Sequence, residues 1–195
     1  MASINASTSG AGGIITTADN TGTLNIQSGG TTIATISSTG LAVASGKTLS
    51  VNGTTVPSNI PAFSAYKATS QSITSSTFTK ITFSSEEYDT NSNFASSTFT
   101  PTIAGYYMIG AGYNAAGGGT PSRTILDIYK NGNQVRRLFD VSTRSDNASG
   151  SCLLYMNGST DYLEVYAYIV ASSPQIYSNG SASDTFFTGV LVRSA

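Results

Sequence analysis

The chain has 195 residues, a net charge of −1 and a pI near 5.2, with one cysteine and no histidine. Nucleic-acid binding is not expected, because no basic stripe is present to neutralise phosphates. The missing histidine excludes Ser-His-Asp and Cys-His catalysis and metal sites built on imidazole. No apolar run approaches the ~20 residues that a helix needs to cross a bilayer, so we expect no membrane span.

The composition predicts an all-β protein. Nearly a third of the residues are Ser or Thr, and the chain also contains 20 Gly and 11 Tyr. β-Branched and aromatic residues suit strands, while Ser and Gly suit the loops between them. No window shows a capped apolar pattern with a helical period. The length fits one good-sized domain with an appendage.

The first zone, residues 1–59, is almost uncharged, with only Asp19 and Lys47 carrying charge. Short apolar pairs at strand spacing recur along it and are separated by turn signals: Leu24 and Ile26, Ile33 and Ile36, Leu41 and Val43, Leu49 and Val51. The Asn52-Gly53 step predicts a further hairpin. Strands this short and one-sided bury too little apolar surface to fold alone. The zone therefore needs a partner, either its own copies in an oligomer or another protein's surface.

Residues 12–32 read Gly-Gly-Ile-Ile-Thr-Thr-Ala-Asp-Asn-Thr-Gly-Thr-Leu-Asn-Ile-Gln-Ser-Gly-Gly-Thr-Thr. This segment resembles the N-terminal segments of bacteriophage fibre and other virion surface proteins. The alternative is a generic β linker rich in Ser, Thr and Gly. Pro57 and Pro61 bracket a hinge, because proline stiffens the backbone and removes a hydrogen-bond donor. We predict a virion-docking or shaft segment over 1–59 and a head domain over 60–195.

Period-two patterns and turn signals predict a sandwich or jelly roll in the second zone. The predicted strands are 62–67, 77–84, 104–114, 123–130, 133–140, 150–157, 161–170 and 185–193. Asn131-Gly132 predicts a hairpin turn, and Gly117-Gly118-Gly119 a flexible loop after the central strand. Cys152 lies in a strand-like run and is interpreted as a small buried thiol.

The stretch from Phe99 to Tyr113 begins with Phe-Thr-Pro and continues into a Gly-Tyr-Tyr strand. Further landmarks flank it in order: Phe63-Ser64-Ala65, Tyr88-Asp89, Tyr129-Lys130-Asn131-Gly132, Leu153 to Val165, and Phe187 to Leu191. Together they resemble the complement-one-q (C1q) globular head, a jelly roll of the tumour-necrosis-factor type, over residues 61–195. The resemblance implies a homotrimer, because these jelly rolls pack their inner sheet around a three-fold axis.

The trimer contact is predicted on the strand 161–170. Alternation places Leu163, Val165, Ala167 and Ile169 on its core face. The opposite face carries Tyr162, Glu164, Tyr166 and Tyr168. Tyrosine suits interfaces because its ring is apolar while its hydroxyl stays hydrated. Tyr106 and Met108 are expected on the neighbouring strand, extending the same contact. The alternative is a row of exposed tyrosines on an outer strand.

A candidate ligand loop contains the acidic cluster Glu86, Glu87 and Asp89 together with Asn91. Arg144 and Asp146 belong to a second loop. The cluster has three interpretations: a solvated loop, a calcium or sugar contact, or a pair of catalytic carboxylates. Some members of the resembled family bind calcium near the trimer axis, which makes Asp89 and Asp146 the candidate ligands. We predict no enzymatic activity and no cofactor other than calcium.

Two charged positions near one hairpin, Arg136 and Arg137, join Arg144 in a basic cluster. Charges of this kind are most often solvated at a loop rim. A ligand site is the less favoured interpretation of the cluster.

Animal members of the resembled family carry a secretion signal and a collagen stalk, and this sequence shows neither pattern. We therefore expect synthesis in a host cytoplasm and a place on a virion surface. The first hypothesis is a trimeric capsid decoration (cement) spike or short fibre that docks on other virion proteins through residues 1–59. About 50 residues of shaft are too few for a long fibre, because a strand advances only ~3.3 Å per residue.

The alternative function is a tail-fibre tip, an adhesin that reads host surface glycans. Its contacts would come from three predicted loops, 85–98, 114–122 and 142–149. A third hypothesis, an enzyme acting on polysaccharide, depends entirely on the acidic cluster.

Overall fold

The computed structural model describes residues 22–51, 54–55, 60–143 and 146–195. Arg144, Asn52-Gly53 and the first part of the fibre-like segment, 12–21, lie outside these residues. Throughout the described part the regular elements are strands, so the all-β prediction is confirmed. None of its segments forms a helix long and apolar enough to cross a membrane. The chain divides into two compact units, Met1–Val56 and Pro57–Ala195.

The first unit contains a three-stranded antiparallel sheet in the order β1-β2-β3. Its strands are β1 (Leu24–Ser28), β2 (Thr31–Ser37) and β3 (Gly40–Val43). A separate two-stranded pair follows, made by β4 (Ser50–Val51) and β5 (Thr54–Thr55). The Asn52-Gly53 turn predicted between them lies outside the described residues.

The second unit, the head, contains the remaining strands. They are β6 (Ala62–Tyr66), β7 (Gln71–Ser72), β8 (Thr79–Lys80), β9 (Ser85–Asp89), β10 (Phe94–Ala95), β11 (Thr98–Phe99), β12 (Gly105–Lys130), β13 (Asn133–Val141), β14 (Asn147–Met156), β15 (Leu163–Tyr177) and β16 (Phe186–Ser194).

The long strand β12 belongs to both layers of a jelly roll. Its first part, residues 105–112, lies between β14 and β16, and the order continues through β6 to β9. We call this layer the first sheet. Its last part, residues 123–130, lies between β13 and β15, and β15 continues to β11 and β10. We call this layer the second sheet; the short strands β7 and β8 also pair with β15. The predicted jelly roll is confirmed.

Two strand predictions differ from the structure around the central strand. The predicted strands 104–114 and 123–130 are one element of 26 residues, and the predicted Gly117–Gly119 loop lies inside it. Gly117 has a φ of +128°, and a Cβ there would lie 2.2 Å from the carbonyl oxygen of Ser173. Glycine therefore lets β12 bend and still pair closely with β15, where a side chain would have forced the strands apart.

A third difference concerns the segment before the aromatic landmark. The predicted strand 77–84 is reduced to Thr79–Lys80, and the predicted loop 85–98 contains β9 and β10. Strand β9 is an edge strand that pairs with β6. Edge strands carry charges that discourage further pairing, and their composition therefore resembles that of a loop.

The core lies between the two sheets and is rich in stacked aromatic rings. Phe63 on β6 stacks on Phe99 of β11 at 4.3 Å between ring centroids and on Phe94 at 5.1 Å. The ring of Phe63 also lies over Gly189, where a Cβ would come within 2.6 Å of it. The second sheet contributes the predicted alternating set, which is fully buried: Leu163, Val165, Ala167 and Ile169.

The predicted Asn-Gly hairpin is confirmed between β12 and β13. Asn131 and Gly132 have φ values of +54° and +77°, the pair of positive angles that a tight primed turn requires. The Asn131 side chain also fixes the next connection, because its Oδ1 accepts a hydrogen bond from the Tyr162 backbone N–H at 2.9 Å. Its Nδ2 donates to Asp161 at 2.8 Å.

Candidate functional site

The predicted tyrosine row lies on the outward face of the second sheet. Tyr166 stacks on Tyr129 of β12, with 3.9 Å between ring centroids, and Tyr168 contacts Phe78 at 4.9 Å. Tyr162 is half-buried just before β15. The rings of Tyr166 and Tyr168 are therefore covered in part by side chains of the same protomer.

Tyr106 and Met108 lie on the other layer of the sandwich. They belong to the part of β12 that pairs with β14 and β16, whereas β15 pairs with β12 only from Asn114 onward. The prediction that they extend the same contact as the tyrosine row is therefore wrong. The physical reason is that one strand, β12, passes from the first sheet to the second.

An exposed apolar face covers one end of the first sheet, on the side away from the core. Three neighbouring strands each contribute two large side chains that are 41–59% exposed: Tyr106 and Met108, Leu153 and Tyr155, Val190 and Val192. We call these six residues the apolar face. Contiguous exposed apolar side chains of this kind mark interaction sites in soluble proteins.

The strand register brings the side chains of the apolar face together. Met108 pairs with Leu153 on one side and with Val190 on the other, so these three form a row across the sheet. Tyr106 pairs with Tyr155, and their rings meet edge to face at 5.5 Å. The face combines aliphatic and thioether groups with two phenols, which is the composition of the buried centre of a protein interface.

Sequence reasoning missed four members of the apolar face, although β14 carried a signal. Leu154 and Met156 point into the core, and Leu153 and Tyr155 alternate with them on the opposite side. A strand that is apolar on both sides is typical of a sheet covered on both faces. The run from Leu153 to Met156 is therefore the pattern in the sequence that indicates a second contact surface.

The acidic cluster lies in a strand, so its placement in a loop is wrong. Glu86, Glu87 and Asp89 belong to β9, and β9 pairs with β6 along the edge of the first sheet. Glu87 accepts a hydrogen bond from the Ser64 hydroxyl at 2.7 Å.

Asp89 holds the turn that follows β9. Its carboxylate accepts hydrogen bonds from the backbone N–H of Phe94 at 2.7 Å and of Asn91 at 3.3 Å. The Asn91 side chain accepts another from Thr90 at 2.8 Å. The side chains of Asp89 and Asn91 are thus engaged in local structure.

Asp146 lies far from the acidic cluster. It precedes β14 at one edge of the first sheet, whereas β9 forms the other edge. Four strand spacings separate the two edges, which amounts to ~19 Å. Asp89 and Asp146 of one protomer therefore do not share one ion, and Arg144 lies outside the described residues. Within 22–51, 54–55, 60–143 and 146–195 no group of three or more Cys, Asp or Glu side chains is placed to hold a metal. Calcium binding stays a prediction.

Two of the three predicted glycan loops are largely strands as well. Residues 114–122 lie within β12, and 85–98 contain β9 and β10. Cys152 packs partly buried against the core, and burial raises the pKa of its thiol. A raised pKa lowers the thiolate fraction at neutral pH, so this cysteine is a poor nucleophile.

Comparison with known proteins agrees with this architecture. A family model described as the C1q domain matches residues 62–192. A search of curated proteins found no match. The globular domain of a zebrafish complement 1qA protein is similar in structure, with a TM-score of 0.50 and 19% identity over 69% of this chain and 99% of that one.

Two further solved structures are similar at a lower level. Murine APRIL has a TM-score of 0.49 and 12% identity over 68% of this chain and 99% of that one. Pika GITRL has a TM-score of 0.43 and 12% identity over 69% and 97%. The family model itself spans about two thirds of the sequence, from the first head strand to the last. The chain belongs to the C1q domain family.

Proposed function

We propose that the protein is a homotrimeric, non-catalytic structural module whose heads associate through the apolar face of the first sheet. The single observation that carries the proposal is the row of Met108, Leu153 and Val190, exposed on a sheet whose other side is already buried. Members of the C1q and tumour-necrosis-factor group assemble as homotrimers, and their domains are typically ligand-binding or structural modules.

Burial of the apolar face supplies a favourable free energy for association. Full burial of a large apolar side chain contributes roughly 1.5–3 kcal/mol. The six side chains are already about half covered, so their further burial supplies on the order of 5–9 kcal/mol per protomer, against which the ordering costs of association act. Aspartate at the centre of the face would instead place an uncompensated charge in the contact.

The attachment of this trimer to a bacteriophage particle is the second part of the proposal. The fibre-like sequence of residues 12–32 and the near absence of charge from 1–59 support a role for the N-terminal segment in docking on other virion proteins. The heads then project outward as a capsid decoration spike or a short surface fibre. A tail-fibre adhesin for host glycans is the alternative within the same assembly.

Sedimentation equilibrium of the purified chain and of Met108→Asp tests the trimer. We expect three times the protomer mass for the parent and one protomer mass for the variant. A parent protein that sediments as one protomer at all concentrations would falsify the proposed assembly. Circular dichroism of Met108→Asp at the same concentration shows whether the protomer mass belongs to a folded head or to a denatured chain.

Gold labelling of intact particles tests the attachment and separates its two forms. Hundreds of labels over the capsid lattice indicate decoration, while a few labels at the tail indicate an adhesin. Particles that carry no label, with the labelled protein free in solution, contradict both.

A further inference from the structure

We propose that the sheet of the first unit forms a three-sided shaft, in which the apolar sides of β1, β2 and β3 from three copies of this chain face one another around a common axis. The inference rests on the proposed trimer and adds to it a second self-association surface, outside the C1q domain.

The register of the sheet sorts its side chains by polarity. Leu24 pairs with Ile36, and Ile36 pairs with Leu41, so these three share one side. In the next row, which lies on the same side, Ile26 and Val43 flank Ala34. We call these six residues the shaft face.

The opposite side of the same sheet is polar. Asn25 pairs with Thr35 and accepts a hydrogen bond from its hydroxyl at 3.0 Å. A β-bulge at Ile33 of β2 brings Gln27 opposite Thr32, and their side chains are also hydrogen-bonded, at 3.3 Å. One side of the sheet is therefore apolar, while the rows of Asn25 with Thr35 and of Gln27 with Thr32 are polar.

Four of the six side chains of the shaft face are exposed among the described residues. Leu24, Ile26, Ile36 and Leu41 are each 40–56% exposed. A sheet with one apolar side is stable only when that side packs against another layer. The sheet of the first unit therefore has an apolar surface whose exposure to water is unfavourable.

Copies of this chain are the occupant that fits the surface. Lys47 is the only charged residue among residues 22–51, and it lies outside β1–β3, so identical faces meet without electrostatic repulsion. Side chains that would specify a different partner, such as charges, are absent from the shaft face. Each head in a trimer is covalently joined to one such sheet, so trimerisation raises the local concentration of the other two to the mM range.

Ile36 has a distinct place in this arrangement. It lies on β2, the central strand, so in a three-fold assembly its side chain comes nearest to the axis. Facing sheets pack about 10 Å apart, which brings side chains of the same type from neighbouring copies into contact. Docking on a particle is then left to residues outside the shaft face.

Cysteine pairing in the full-length chain tests the shaft. In a Cys152→Ser background, Ile36→Cys places a thiol on the shaft face, and Thr35→Cys places one on the polar side, one residue away. After mild oxidation at low protein concentration, we expect disulfide-linked dimers from Ile36→Cys in about tenfold excess over Thr35→Cys. Thiols on the shaft face of neighbouring copies face one another within disulfide reach, whereas thiols on the other side of the sheet point away from the axis. A second pair, Leu41→Cys against Ala42→Cys, repeats the comparison on β3.

The outcomes distinguish the shaft from the head trimer. The molar mass of each variant is first measured by sedimentation equilibrium. If the protein is a trimer but the two cysteine variants of each pair form disulfide-linked dimers to the same extent, or form none, the shaft is contradicted. The proposed head trimer is not affected by that result. A protein that sediments as one protomer overturns the head assembly, and with it the premise of the shaft.

Discussion

Arg137 on β13 holds the carboxylate of Asp127 on β12 with two parallel hydrogen bonds, of 3.0 and 3.2 Å. The Asp127 side chain is fully buried, and Arg137 covers it from the solvent side. The hydrogen bonds to Asp127 raise the pKa of Arg137, which stays charged. Arg137 also contacts Asp140 at 2.9 Å. The sequence interpretation of Arg137 as a solvated rim charge is therefore wrong.

Arg137→Ala should destabilise the head strongly, because it leaves a buried carboxylate without its partner. Breaking a buried pair costs about 3–5 kcal/mol, and we expect about 3 kcal/mol here because the arginine side is partly exposed. Urea unfolding measures the change. Arg136→Ala, on the same strand but exposed and bonded only to its neighbour's carbonyl, should change the free energy of unfolding by less than about 0.5 kcal/mol. Equal losses for both variants contradict the assignment.

Tyr106→Asp and Tyr166→Asp make the same chemical change on the two opposite sheets. Tyr106 belongs to the apolar face, so its replacement should convert trimers to monomers. Tyr166 stacks within its own protomer, so its replacement should lower thermal stability and leave the trimer in place. Sedimentation velocity at equal protein concentration measures the oligomeric state of both variants, and thermal unfolding measures their stability. Monomers from Tyr166→Asp, with trimers from Tyr106→Asp, would assign the contact to the tyrosine row instead.

Acid should destabilise the protein through Asp161. Burial raises the pKa of this carboxyl, but hydrogen bonds from Lys130, Asn131 and the Asn157 backbone outweigh the effect and hold the pKa below its ordinary value. The stabilisation is therefore present above the unfolded pKa of about 3.9 and is lost as pH falls through the lower, folded pKa.

Asp161→Asn should reduce the free energy of unfolding by about 1–2 kcal/mol at pH 7, the usual worth of hydrogen bonds to a charged group. The loss should be smaller at pH 3, because below the unfolded pKa of about 3.9 the ionised carboxyl contributes progressively less stability. Urea titrations at the two pH values measure it. The parent itself should change little between pH 5 and 8, since the chain has no histidine. A variant whose deficit is the same at pH 3 and pH 7 shows that charge is not the cause.

Deletion of residues 1–59 should leave a folded, trimeric head that no longer attaches to particles. The head has its own core and its own apolar face, both made by residues between Phe63 and Val192. Co-sedimentation with particles measures attachment, with the full-length chain as the reference. An unfolded truncation, or one that attaches as well as the full chain, contradicts this division of roles.

The core side of β15 could be predicted from the sequence. Alternation correctly identified the core residues from Leu163 to Ile169, because the side-chain period of a strand is a local property. The Asn131-Gly132 turn was predictable for the same reason, since few residues tolerate two positive φ angles in succession. The ordered aromatic and glycine landmarks predicted the jelly roll.

Alternation does not show whether the side of a strand that faces away from the core is covered by the same protomer or exposed to solvent. The outward rings of Tyr166 and Tyr168 and the outward side chains of Met108 and Leu153 follow the same period, yet the former contact their own protomer and the latter contact solvent. Long-range pairing decides this difference, and it depends on β12 passing from one sheet to the other.

The sequence alone determined the fold class, the core side of the main strands and the tight turns, because these depend on neighbours along the chain. Tertiary structure decided which strands lie side by side, that the acidic cluster forms a sheet edge, and that an apolar face gathers around Met108. Residues from β12, β14 and β16 are distant in sequence, and only the hydrogen-bonded register of the sheet makes them one surface.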